Sequence, residues 1–264
     1  MKKFLYFASA ALALLISGCN EKKSDTKSEV TQTRNIVFES YSYDQIGTYQ
    51  SGDSIAAPGG KFIRFIGQGV LPQDIGDTDI KHLRDTLMKI SNLSLNEDDK
   101  PIPNMPEHIE PTDMLANETE ACGEVVSTLS TTLVNPRVVV WENIIYSYSC
   151  GAAHGNQSTK FINFSMNDGK ILTLNDLFKP NYRKVLTKLV RKKLEDSSYT
   201  LLIPINKVEL SDEFAITSKG IMFNYDEYEI APYSEGAIQV ELQTGEISDI
   251  ISNEGLFILT GIKN

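Results

Sequence analysis

Cysteine and histidine stand four residues apart in the stretch YSYSCGAAHG, residues 146–155, and no other pair in the chain is better spaced for nucleophilic chemistry. A thiol becomes a useful nucleophile when a base within hydrogen-bond reach takes its proton, so Cys150 and His154 would serve as nucleophile and base. A zinc centre is the other chemistry such residues support. It needs three or four converging ligands, and His82, His108 and His154 fall in three unrelated segments with no HxxxH or CxxC pairing among them. The sequence also has no Gly-x-Ser-x-Gly elbow and no phosphate-cradling glycine loop, so neither a serine hydrolase nor a cofactor is expected.

The elements around the dyad argue against it. EVVSTLSTTLV, residues 124–134, and VVVWENIIYSYSC, residues 138–150, are β-branched segments joined by Asn135-Pro136-Arg137, the pattern of a long antiparallel hairpin. With the hairpin centred on Pro136, paired residues have numbers that sum to 272 and Cys122 faces Cys150. Opposed residues of an antiparallel pair lie about 4.5–5.5 Å apart at Cα, within the reach of a disulfide, and a bridge would consume the nucleophile.

Redox compartment follows from the first nineteen residues, MKKFLYFASAALALLISGC. Lys2 and Lys3 precede an apolar run, Phe4 to Ile16, that is too short to span a bilayer and ends in small residues, which is the order of an export signal. Leu15-Ile16-Ser17-Gly18-Cys19 resembles the bacterial lipobox, and this resemblance implies an acylated Cys19 (a palmitate-type anchor) at the mature N-terminus. Residues 20–34 hold one aliphatic side chain, Val30, among charged and hydroxylic ones and read as a flexible tether. Export puts Cys122 and Cys150 in an oxidising compartment, which favours the bridge. Losing Lys2 and Lys3 with the signal leaves 23 basic against 35 acidic residues. So acidic a body argues against nucleic acid or an anionic membrane face as a partner and, where charge serves more than solubility, for a cationic one.

The remaining chain is expected to be an α+β fold, antiparallel β-sheet with two main helices packed on one face. Strands are expected at 35–43 and 61–71, an amphipathic helix at 78–91 capped by Thr78 or Asp79, and a proline-rich acidic loop at 96–114. After the hairpin come a strand at 158–166, an Asn167-Asp168-Gly169 turn, and a helix at 181–194 whose basic face we read as a solvated outer surface. Strands at 213–217, 220–233 and 237–243, a short helix at 245–251 and an apolar end complete the chain. The expected organisation is a signal at 1–19, a tether at 20–34, an N-terminal α+β partner region at 35–139 and a C-terminal domain at 140–264.

Within residues 140–250, four pieces occur in order: Tyr148 with Gly151-Ala152-Ala153-His154-Gly155; Asn163-Phe164 with Asp168-Gly169-Lys170; Leu174 with Asp176-Leu177-Phe178; and Gly220 to Tyr233 with Gly236. Together they resemble the extracytoplasmic domain family of unknown function shared by the lysozyme-sensing anti-sigma factor RsiV and the non-catalytic part of the peptidoglycan deacetylase PdaC. This chain carries one alanine more before His154 than the family's usual Gly-Ala-His. The resemblance implies an α+β domain that binds something in the cell envelope and implies no reaction.

Tyr148, His154, Tyr228, Tyr233 and Glu235 are the ligand-binding candidates, with Glu227 and Glu229 as further acidic contacts for a basic protein such as lysozyme. Tyr146 and Tyr225 fit half-buried strand positions. The functional expectation is a lipid-anchored envelope protein, exposed to periplasm or cell surface, that binds a lysozyme-type muramidase or a peptidoglycan-related ligand. The second reading is an envelope enzyme acting on glycan or acyl groups through His154.

Overall fold

The computed structural model describes residues 35–49, 62–112, 121–149 and 151–262. Cys19, the export signal, the whole tether, and Cys150 lie outside the described residues. In chain order the elements are β1 (Val37–Tyr49), β2 (Phe62–Asp74), α1 (Lys81–Ile90), β3 (Leu93–Leu95), β4 (Pro101–Pro103), β5 (Ile109–Thr112), β6 (Gly123–Val134), β7 (Val138–Tyr148), β8 (Asn156–Ser165) and β9 (Lys170–Ile171). They continue with α2 (Leu174–Leu177), α3 (Tyr182–Glu195), β10 (Phe214–Ile216), β11 (Gly220–Tyr225), β12 (Ile238–Gln243), α4 (Thr244–Ile247) and α5 (Asn253–Thr260).

Seven strands form one sheet in the order β5-β1-β2-β6-β7-β8-β9. It is mostly antiparallel, as the alternating sequence predicts, but β2 and β6 run parallel from Ile63 opposite Gly123 to Gly69 opposite Leu129. The parallel pair corrects the expectation of purely antiparallel sheet. Parallel neighbours need a crossover of a dozen or more residues, and the segment from Ile75 to Cys122, which contains α1, supplies it. That crossover also corrects the expected loop at 96–114, because β4 pairs with β3 and β5 adds to the open edge of β1. Their prolines sit where proline is tolerated, in edge strands whose missing N–H breaks no central ladder.

The hairpin of β6 and β7 has the expected register along its outer part, but its turn is centred between Pro136 and Arg137 rather than on Pro136, with the Asn135 N–H on Val138 O. Glu124 faces Tyr148 and the pairing continues to Thr131 opposite Trp141, until a bulge moves Leu133 opposite Val140. Around the turn, the Asn135 side chain accepts the Arg137 and Val138 N–H groups at 2.8 and 3.0 Å. The first part of β7, Val138 to Trp141, is buried on both faces. Val139 and Trp141 point to one core with Leu71, Leu83, Leu87, Leu129 and Phe164, while Val138 and Val140 point to the other with residues of α3 and β10–β12.

These two cores separate the two longer helices, a correction to their expected placement on one face. Leu83 and Leu87 of α1 pack in the first core, and Tyr182, Leu186, Val190 and Leu194 of α3 pack in the second, against the three-stranded sheet β10-β11-β12. Each helix has one apolar stripe, and β7 exposes an apolar row to each side, so a two-layer arrangement would leave half of β7 uncovered. α1 starts with the Lys81 N–H on Asp79 Oδ1 at 2.9 Å. It ends on a buried polar pair, where Asn143 donates to Ile90 O at 2.8 Å and accepts from Ser91 Oγ at 2.9 Å. The strand expected over 220–233 ends at Tyr225 and the apolar C-terminus folds as α5, whose first turn is capped by Ser252 Oγ on the Gly255 N–H at 2.9 Å.

The small sheet docks on the free edge of β8. Asp226 accepts the Thr159 N–H at 3.1 Å, Glu213 accepts the Phe161 N–H at 3.3 Å, and Asn163 bonds Phe214 O and the Ile216 N–H at 2.8 and 2.7 Å. Side chains thus satisfy the backbone groups that an unpaired edge would leave open. The described residues fall in one contact unit, and the long sheet passes residue 139 without a break. Among the described residues no helix is long and apolar enough to cross a membrane.

Candidate functional site

Between β7 and β8 the chain makes a tight corner. Gly151 takes a left-handed φ of 76°, the Ala152 N–H returns to Ser149 O at 3.0 Å, and the Tyr148 hydroxyl donates to Ala152 O at 3.1 Å. Gly155 is required for a different reason. A Cβ there would lie 2.2 Å from the Tyr146 ring, so the backbone rests flat on that tyrosine.

This seat fixes His154, which is exposed to solvent. Its Nδ1 lies 2.7 Å from Gly155 O. A carbonyl oxygen only accepts, so Nδ1 carries the proton, and Nε2 is left to accept from the Tyr228 hydroxyl at 3.0 Å. The imidazole stacks on Tyr233 with centroids 4.1 Å apart and planes 24° from parallel, and Tyr228 lies 5.9 Å from both rings.

Tyr228 reaches this position from the turn after β11. The Asp226 carboxylate anchors the turn to Thr159 and Asn224, the Asp226 N–H donates to Glu229 Oε2 at 3.0 Å, and the Tyr228 N–H closes on Ala231 O at 3.1 Å. Tyr228 itself has φ of 66°, a conformation costly for a residue with a Cβ, and is 51% exposed. Strain of this kind persists only where the surroundings impose it.

The turn is acidic. Glu229's carboxyl is pushed above its ordinary value, first by burial and then by the charges of Asp226 and Glu213. Tyr233's hydroxyl is also raised, first by lost hydration and then by the neighbouring Glu227 charge. Glu227 has an oxygen, Oε2, that is shut off from solvent and without a hydrogen-bond partner.

The structure therefore brings together His154, Tyr228 and Tyr233 of the candidate residues. Tyr148 is turned back onto the corner backbone, and Glu235 accepts the Thr200 N–H at 3.1 Å. Tyr225 is buried, with its hydroxyl donating to Glu209 O at 2.8 Å and its pKa pushed up to about 12, chiefly by burial. Tyr146 does more than fill a strand position, since its ring is the floor under Gly155. Only the tight spacing of Tyr146 and Gly155 could have hinted at it. For the dyad, Cys150 lies outside the described residues, and both His154 nitrogens are already engaged. Among the described residues no group of three or more His, Cys, Asp and Glu is placed to hold a metal ion.

Comparison with known proteins agrees with this architecture. Residues 175–244, from α2 into the start of α4 and including Tyr228 and Tyr233 but not His154, match the family model described as a protein of unknown function, DUF3298. A crystal structure of a DUF3298 family member from Bacteroides fragilis is similar with a TM-score of 0.57 and 16% identity, covering 87% of this chain and 99% of that one. A second, of a DUF3298 family protein from Pseudomonas aeruginosa, is similar with a TM-score of 0.56 and 15% identity, covering 84% and 97%. Such likeness establishes a shared fold. The comparison with curated proteins finds no match.

Proposed function

We propose that this chain is a lipid-anchored binding protein of the cell envelope, exported and acylated at Cys19, with a lysozyme-type muramidase or a peptidoglycan-related ligand as its partner. The observation that carries the reading is the three-ring surface of His154, Tyr228 and Tyr233. A general base needs a nitrogen free to take a substrate proton, and here Nδ1 is spent on Gly155 O and Nε2 on the Tyr228 hydroxyl. Rigid tyrosines at a surface suit recognition better, because they bring large contact area at small entropic cost. The acidic composition complements a basic protein, and the resemblance to the RsiV and PdaC domain family points the same way.

The test is to immobilise the chain from residue 20 onward and measure lysozyme binding and inhibition at physiological salt. Micromolar binding that His154→Ala or Tyr233→Ala weakens supports the reading, and no binding removes the lysozyme version. A hydrolytic activity on glycan or acyl substrates that His154→Ala abolishes would favour the enzymatic alternative. The Cys122–Cys150 bridge is part of the proposal, and the pairing of Glu124 with Tyr148 supports it, because the same register carried two positions further would set residue 150 opposite Cys122. Intact mass with and without reductant tests it, because reduction of a bridge adds about two mass units, one hydrogen per sulfur.

A further inference from the structure

The turn from Asp226 to Tyr233 leaves one charge unsettled. Asp226 takes bonds from Thr159 and Asn224, and Glu229 accepts the Asp226 N–H, but Glu227 keeps one buried oxygen with no donor. A carboxylate oxygen shut off from water with no donor is costly, and the cost falls when a cation settles beside that carboxylate. Beside it the chain holds three ring faces within 6 Å centroid spacing, with Tyr228 half open to solvent in a strained backbone conformation. Ring faces are negative, so they and the Glu227 charge attract the same kind of group.

We propose that Glu227, Tyr228, His154 and Tyr233 form a recognition site for the guanidinium of an arginine side chain presented by a protein partner. A planar guanidinium lies flat on an aromatic face while keeping its N–H donors directed at a carboxylate, which a compact, strongly hydrated ammonium does less well. The strain at Tyr228 fits this use. It turns the ring away from the core and over His154, where a ligand can reach it. This assignment rests on the reading of the three-ring surface as a binding site and names the group it takes.

Tri-arginine and tri-lysine peptides, titrated into the chain from residue 20 onward at about 150 mM salt to screen diffuse charge attraction, provide the test, followed by NMR of the ring signals. Tri-arginine is expected to shift the Tyr228, Tyr233 and His154 resonances. Glu227→Gln and Tyr228→Ala should each weaken it about tenfold, the scale of a desolvated cation–π contact. Tyr228→Phe, which keeps the ring, should retain binding. Asp98→Asn, an exposed acid in the turn between β3 and β4, should leave it within about twofold, as a screened remote charge would.

Equal binding of tri-lysine, or equal weakening by Asp98→Asn and Glu227→Gln, overturns the inference. Lysozyme capture by the same variants separates the two claims. If capture persists in Glu227→Gln and tri-arginine never binds, the binding function stands and the guanidinium site falls. If tri-arginine binds as described and lysozyme does not, the site stands and the muramidase partner falls.

Discussion

At the residue scale the corner carries two opposite constraints. Gly155 has no room for a side chain, so Gly155→Ala forces its methyl into the Tyr146 ring and should cost about 1–3 kcal/mol, as overpacking does, read as a lower urea midpoint. Tyr228 pays for its position with a left-handed backbone. Tyr228→Gly is therefore expected to be more stable than Tyr228→Ala by about 1 kcal/mol, although both lose the ring, and urea unfolding of the two variants measures the difference. Equal stability would show that the turn relaxes once the tyrosine is gone. The corner's spacing and its tyrosine were legible in the sequence. That Gly155 serves packing, and Gly151 backbone conformation, was not, because the distinction depends on what lies opposite each.

At the element scale the edge of β8 decides how the two layers join. Asp226 holds the Thr159 N–H through both carboxylate oxygens, at 3.1 and 3.2 Å. Asp226→Ala leaves that buried donor without an acceptor and should cost about 1–3 kcal/mol. Its specific signature is faster hydrogen exchange at Thr159 with little change at Val139, which is in the centre of the sheet. A second element, α2, depends on Thr173 and Asp176, which form a capping box. Lys170 adds ion pairs to Asp176 and Glu254 at 2.9 and 3.0 Å and so ties α2 to α5. The amphipathic pattern of α3 and the Asn-Pro turn of the hairpin could be read directly, since both are set by residues within a few positions of each other. The edge contacts could not, because Asp226 meets a strand 67 residues away.

At the scale of the whole molecule, the carboxylates predict how stability varies with pH. Asp44 is held low by its hydrogen bonds from Arg64, and Glu246 by Lys193 and then the Gln243 N–H. Burial alone would raise Asp176, but Lys170 and the Thr173 N–H and hydroxyl outweigh it and hold it low. A carboxylate with a lowered folded value contributes stability that is present above its unfolded pKa and is lost as pH falls through the folded one. Glu142 and Glu229, raised first by burial, have the opposite sign and cost stability above their folded values. Stability should therefore hold or rise slightly as pH falls into the ordinary glutamate range, then drop below the ordinary aspartate value. Urea midpoints across a pH series check this, and in Asp176→Asn the acid drop should be shallower from a lower starting stability.

The sequence by itself determined what is local: an acidic composition, the alternation that makes mostly antiparallel sheet, the outer register of β6 and β7, and the stripes of α1 and α3. Only the tertiary structure decided the parallel pairing of β2 with β6 and the placing of the helices in separate cores, because both depend on where a long crossover returns. The site is the sharpest case. His154 and Tyr228 are 74 residues apart, and their contact exists only once Asp226 and Glu213 seal the small sheet to the edge of β8. Residue types and spacing supplied the components, but chain entropy keeps such distant groups apart until packing on both faces of β7 has offset the cost of closing the loop between them.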